Sequence, residues 1–183
     1  ILATGDVMNA AGPNNSGSSS MGGGNFGQGD PDLAVLSNPQ SVNDAAVLEF
    51  DFVPTGDSLK FDFVFGSDEY LEFVNSVNDI FGFFLSGPGI AGTFTNGAIN
   101  IALIPGTTDP VTINTVNNVV NPTYYVVNGT GINAPFNNNP QYVQYDGFTT
   151  VLTARAQVTC GLTYHIKIAI ADGGDASHDS NLL

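Results

Sequence analysis

The chain has 183 residues, enough for one domain with a sizeable core, and nothing in its composition demands a second. Its 3 Lys+Arg against 17 Asp+Glu give a formal net charge of -14, which repels nucleic-acid phosphates and anionic membrane surfaces and excludes nucleic-acid binding. Only 11% of residues are charged while 42% are hydrophobic, so solubility rests on Asn, Ser, Thr, Gly and uncompensated acids. Such a surface is commoner on secreted β-proteins than on cytosolic enzymes.

The sequence opens at Ile1 without a Met or a charged leader and closes at Leu183 in an apolar run. Both ends read as cuts through a longer multidomain polypeptide, with residues 1–183 as one domain. No stretch of about 20 apolar residues is present to span a membrane. Gly5 to Gly29 is rich in Gly, Ser and Asn and predicts a long loop within that domain that builds no core by itself. Asp30-Pro31-Asp32-Leu33 predicts a turn or a helical stub, broken near Asn38-Pro39, and regular structure is expected from about Ala45.

From there the period is two. Leu48, Phe50 and Phe52 alternate with Glu49, Asp51 and Val53, and Leu59, Phe61, Phe63 and Phe65 alternate with Lys60, Asp62 and Val64. Two half-buried strands follow, joined by a turn at Pro54-Thr55-Gly56-Asp57. Further strands are predicted over Phe81 to Leu85, Ile99 to Ile104, Val111 to Val116, Tyr124 to Val127, Phe148 to Val158 and Thr163 to Ala171. Gly, Pro and Asn clusters separate them, with Ser86-Gly87-Pro88-Gly89 and Pro105-Gly106 as the clearest breaks. Only Glu69 to Val77 has room for a turn or two of helix, which argues against an α/β enzyme. The fold class expected is all-β: an antiparallel β-sandwich, jelly-roll-like, with long loops and little helix. Gly129 to Gln144 predicts an exposed loop, where a ligand would meet Phe136, Tyr142 or Tyr145.

Acids crowd the ends of the most aromatic strands. Asp68, Glu69 and Asp79 flank one pair, and Asp172, Asp175 and Asp179 follow another. Hard oxygen ligands without Cys or His partners suit calcium, which takes six to eight oxygens from carboxylates, amides, backbone carbonyls and water. The glycines of Ala-Asp-Gly-Gly-Asp-Ala-Ser-His-Asp let the backbone fold tightly around one point. The spacing is not that of an EF-hand, so the match is to calcium chemistry in general. Glu69, Asp79, Asp172 and Asp179 are the first-choice ligands, with Asp68, Asn78 and Asp175 second. The competing reading is that these acids cap turns and face water.

Four blocks carry a resemblance over nearly the whole chain: LEFDFVPTGDSLKFDFVFGSDEYLEFVNSVNDIFGFFLSGPG, NIALIPGTTDPVTINTVN, YDGFTTVLTARAQV and TYHIKIAIADGGDASHDS. Their order is similar to that of the choice-of-anchor L domain, and ILATGDVMNAAGPN resembles that family's early motif. The resemblance implies a β-rich extracellular module of bacterial surface proteins, attached by varied C-terminal signals, and it implies no catalysis. The chain departs from the family's usual ending, in which an apolar strand follows the acidic motif, because it stops at Asn181-Leu182-Leu183. An open sheet edge is therefore expected there.

Other chemistries are weaker. Gly56-Asp57-Ser58-Leu59 spells the GDSL motif, and Asp175 with His178 spells the Asp-x-x-His of GDSL ester hydrolases. Ser58 nevertheless leads into an alternating strand rather than a helix. Two His in the chain argue against zinc. A carbohydrate-binding module of a secreted enzyme would use Tyr124, Tyr125, Phe136, Tyr142 and Tyr145 as platforms, although Trp is absent. Cys160 is the lone cysteine and reads as a small core residue or as the partner of a cysteine elsewhere. The expected role is a noncatalytic, calcium-stabilised extracellular module. It would bind a glycan or surface ligand in adhesion, or copies of itself or sister modules in an assembly.

Overall fold

The structure is a computed structural model describing residues 1–14, 17, 27–37, 39–128 and 142–183. Among the described residues the strands are β1 (Leu2–Ala3), β2 (Val42–Phe52), β3 (Ser58–Phe63), β4 (Phe65–Ser67) and β5 (Ile80–Ser86). They continue with β6 (Ile99–Asn100), β7 (Tyr125–Val127), β8 (Gly147–Thr149), β9 (Leu152–Gln157), β10 (Tyr164–Gly173) and β11 (Ser180–Leu182). One α-helix, α1 (Pro31–Ser37), precedes β2. Its start follows from Asp30, whose Oδ1 accepts the amides of Asp32 at 2.9 Å and Leu33 at 3.1 Å, with Pro31 at the first helical position.

The strands pair antiparallel throughout, in sheets of order β1-β11-β4-β8-β7 and β2-β10-β5-β6 and in a β3-β9 ribbon. The expected all-β antiparallel class is what the chain adopts, in an arrangement consistent with a sandwich. One apolar cluster draws on all three sheets: Phe65 and Leu182 from the first, Phe81, Phe83, Ile166 and Ile170 from the second, and Phe63, Leu152 and Ala154 from the ribbon. Phe81 is at its centre, 5.3 Å from Phe65 and 5.0 Å from Phe63 between ring centroids. Every residue of β5 is buried, because β10 and β6 flank it and both its faces are covered.

Several expectations are corrected. Leu48 and Phe50 do not enter the core: they are 52% and 40% exposed, because β2 is the outer strand of its sheet. Ile99 to Ile104 is a strand only at Ile99–Asn100. Val111 to Val116 is buried irregular chain, not a strand, because hydroxyls replace the ladder: Thr115 Oγ1 takes the Thr112 amide at 2.9 Å and donates to the Pro110 carbonyl at 2.7 Å. Phe148 to Val158 breaks at Thr150, whose amide donates to the Tyr124 carbonyl. Glu69 to Val77 forms turns rather than helix. Cys160 is exposed and not a core residue.

The largest correction concerns the chain's last strand. Ser180, Asn181 and Leu182 themselves form it, paired with β1 on one side and β4 on the other. The acidic motif is thus followed by an interior strand, and the open edge expected there does not arise.

Candidate functional site: buried carboxylates at the strand ends

Four strands begin immediately after an aspartate, and in three of them that aspartate is buried: β5 after Asp79, β8 after Asp146 and β11 after Asp179, whereas Asp57 before β3 is exposed. Asp68 and Glu69 follow the end of β4, and Asp172 is the last residue but one of β10. Because β8, β4 and β11 are neighbours in one sheet while β10 and β5 are neighbours in the other, these ends meet at one side of the core. A register shift between Ile170 and Asp172 opposite β2 accompanies Asp44, which has a positive φ of 49°. Bulges of this kind re-aim side chains.

Asp44, Asp68, Glu69, Asp79, Asp146, Asp172 and Asp179 are all buried. Asp79 is fully engaged. Its Oδ2 accepts from Ser67 Oγ at 3.1 Å and Ser180 Oγ at 2.6 Å, and its Oδ1 accepts the Gly173 amide at 3.2 Å, tying β4, β11 and β10 together. Asp68 Oδ1 accepts the Asp146 amide at 3.1 Å. Asp179 lies so close to the N-terminal segment that a Cβ at Gly5 would overlap its carboxylate.

Glu69 and Asp172 differ. Each is 1% exposed, and no hydrogen-bond donor reaches either carboxylate oxygen in good geometry. The Thr4 hydroxyl is near enough to Asp172 to lower its pKa in part, short of a well-formed bond. His178 Nδ1 stands 3.6 Å from Glu69 Oε1, its ring packed on Phe73.

Burial is the main force raising these carboxyls, with neighbouring acids next. It takes Asp172 to about 10, with Asp79, Asp179 and Asp44 adding to it, and Glu69 to about 9, with Asp79, Asp175 and Asp68 adding to it. Asp146 rises to about 8, Asp79 to about 7 and Asp179 to about 6. Tyr145 lies among them: burial first, then the charges of Asp179, Asp68, Asp172 and Asp79, holds its phenol far above the ordinary range. The Lys residues are engaged elsewhere, Lys60 with Asp62 and Lys167 with Asp30 and Asp32. Arg155 lies opposite Lys60 on the ribbon.

The donor set is oxygen throughout, apart from His178, and fits a hard cation better than zinc or copper. Among the described residues, no three His, Cys, Asp or Glu side chains already form a metal-holding group. The groups nearest to free acceptors are Glu69 and Asp172.

The remaining predicted residues, Tyr145 apart, are not buried with this group. Asp175 is exposed and accepts the Ser177 amide at 2.9 Å, capping its own turn. Asn78 is half-buried, and its Oδ1 takes the Asn114 amide at 3.3 Å. Tyr145 is buried, against the expectation of an exposed loop, because its turn packs under the carboxylates. Tyr142 is exposed and borders a groove with Met8, Val143 and Leu183, whereas half-buried Tyr124 borders another with Pro105, Val151 and Arg155. Phe136 and most of the predicted 129–144 loop lie outside the described residues. The aromatic residues described do not share one platform.

The hydrolase motif does not assemble either. Ser58 opens β3 opposite Gln157, while His178 faces Glu69 and Asp175 caps a surface turn. Sequence reasoning missed Asp44 and Asp146. An Asp directly before a strand occurs at Asp79, Asp179 and Asp146, but also at exposed Asp57, so that signal alone does not mark a buried acid.

Among the described residues no helix is long and apolar enough to cross a membrane. No curated protein and no solved structure matches the chain. The choice-of-anchor L domain matches residues 1–183. The chain therefore belongs to the choice-of-anchor L domain family, as a non-catalytic, β-rich module of the bacterial extracellular surface.

Proposed function

We propose that this module is stabilised by calcium and serves in adhesion or as a structural unit of a surface assembly. The observation that carries the reading is the pair Glu69 and Asp172, buried among other acids with no Lys or Arg beside them. Buried charge of one sign either takes up protons or gains a counter-cation. Extracellular calcium is a hard cation of the right preference, and its binding energy becomes folding energy when the ligands come from separate strands. Glu69, Asp172, Asp179, Asp68 and Asp79 are the residues that would hold it or frame it. Asp175 and Asn78 would act from the rim.

The surface role draws support from β2. This eleven-residue outer strand exposes Val47, Leu48 and Phe50, an apolar stretch available to another surface.

Thermal unfolding of chelator-stripped protein, with and without millimolar calcium, tests the metal. A rise in Tm that magnesium does not reproduce is expected, and equal Tm values would overturn the calcium reading. Glycan-array binding by the calcium-loaded module would then favour adhesion. Regular polymers of the isolated module would favour assembly.

A further inference from the structure

Lys167 of β10 is buried and touches two acids at once. Its Nζ lies 3.0 and 2.8 Å from the two oxygens of Asp30 and 2.5 Å from Asp32 Oδ2, over the Phe84 ring. Asp30 and Asp32 are buried too, and Phe84 belongs to an apolar cluster with Leu33, Ile80 and Ala169. The carboxylate oxygens are not equivalent. Asp30 Oδ1 also accepts the backbone amides of Asp32 at 2.9 Å and Leu33 at 3.1 Å, and Asp32 Oδ1 accepts the amide and hydroxyl of Thr95. Each Oδ2 faces Lys167 Nζ.

Every atom has the place that amide formation requires. Nζ is the nucleophile, and because it spans both oxygens of Asp30, the carbon between them is within its reach. The two backbone amides on Asp30 Oδ1 stabilise the negative charge that this oxygen takes on when Nζ adds. Asp32 Oδ2 accepts a proton from the Nζ ammonium and passes it to Asp30 Oδ2. The amine lone pair then forms the N–C bond, a second Nζ proton follows the same path, and the C–Oδ2 bond breaks to release water. The amide keeps one proton, the water takes two, and Asp32 ends ionised as it began.

One carboxylate suffices to pair a lysine, and the second supplies the proton route. Burial pushes Asp32 up and Lys167 down, but their mutual contacts outweigh it and hold the carboxyl below and the ammonium above the ordinary range. The ion pair is therefore the resting state and the first proton transfer runs uphill. A reaction that happens once per molecule tolerates a slow step, and it turns three buried charges into one. A small cleft lined by Asp32, Phe84, Thr95 and Lys167 gives the water a way out.

We propose that Lys167 and Asp30 condense to an intramolecular isopeptide bond, with Asp32 as the proton carrier. The link ties the segment that starts α1 to β10 covalently and is independent of calcium and of the Glu69 and Asp172 group.

Intact mass of the denatured wild-type chain, followed by peptide mapping with tandem mass spectrometry, tests it. Wild type should be lighter than its sequence by one water and should yield a branched peptide joining Lys167 to Asp30. Lys167→Arg and Asp32→Asn should keep their full sequence mass. An unmodified wild-type mass would overturn the proposal, and that measurement needs no variant to fold. Water is also lost when an Asp-Gly pair closes to a succinimide, so a loss mapped to Asp146-Gly147 or Asp172-Gly173 would overturn it as well. So would a link from Lys167 to Asp32. Linkage in Asp32→Asn as complete as in wild type would overturn the role of Asp32.

Discussion

Two groups of buried acids sit in this molecule, and only one carries its own cation. Where α1 meets β10, Lys167 Nζ lies 3.0 and 2.8 Å from the two oxygens of Asp30 and 2.5 Å from Asp32 Oδ2, and stands over the Phe84 ring at 5.1 Å. Asp32 also accepts the amide and hydroxyl of Thr95, each at 2.8 Å. Burial would raise Asp32, but Lys167 and Thr95 outweigh it and hold its carboxyl below the usual range. At the strand ends around Glu69 and Asp172 burial is unopposed by any Lys or Arg, and the carboxyls rise. Burial of an acid is thus neutral information until its counter-charge is found. The helix group is a closed structural device, and the strand-end group calls for something from solution.

Lys167→Met should give the largest effect, because it strands Asp30 and Asp32 without a counter-charge. A loss of about 3–5 kcal/mol is expected in urea unfolding, the same in calcium and in chelator. A loss that calcium rescues would erase the distinction between the two groups.

Asp172→Asn should behave oppositely. In calcium at about 100 times its Kd it should remove up to about 2.7 kcal/mol of ligand-linked stability. In chelator it should be neutral or stabilising, since the fold no longer has to keep a proton on a buried carboxyl that the unfolded chain ionises. A destabilisation of the same size in both buffers would make Asp172 a plain structural residue.

The metal-free protein should lose stability as pH rises. Glu69 and Asp172 have ordinary values of 4.5 and 3.8 and are raised to about 9 and about 10 in the fold, so the native state holds protons that the unfolded chain releases. Their contribution is complete below about pH 4 and is lost progressively as pH climbs through those raised values. Calcium competes with the same protons, so its stabilisation should grow over that range. Tm measured at pH 5 and pH 8, with and without calcium, checks both slopes. A metal-free Tm that is higher at pH 8 would contradict the shared cause.

Asp57→Asn should be the smallest change. Asp57 is exposed in the turn before β3, and a shift within about 0.5 kcal/mol is expected in either buffer. A larger, calcium-dependent shift would mean that the charge effect is general rather than confined to the strand ends.

Much of the fold was legible because β-structure writes itself locally. The alternation around Phe61 and Phe63, the apolar run at Phe81 to Leu85 and the Gly and Pro breaks mark strands and turns without reference to the rest of the chain. Alternation does not reveal which strand lies outermost, and that is why Leu48 and Phe50 read as core yet are exposed on β2. Among the acids, Asp68, Glu69, Asp79, Asp172 and Asp179 stood out by their crowding near strand ends. Asp175 shares that crowding but caps its own turn, and Asp146 lacks it but is buried.

The amino-acid sequence by itself determined an acidic, cation-poor, antiparallel β-rich chain and its family, since charge, period and ordered motifs are properties of short stretches. Tertiary structure alone decided that β11 lies between β1 and β4, that Lys167 neutralises one group of acids, and that the Asn128 amide donates to the Asp146 carbonyl eighteen positions away. Each of these depends on pairings between residues far apart in the chain, and no local pattern records which distant partner a strand end will meet.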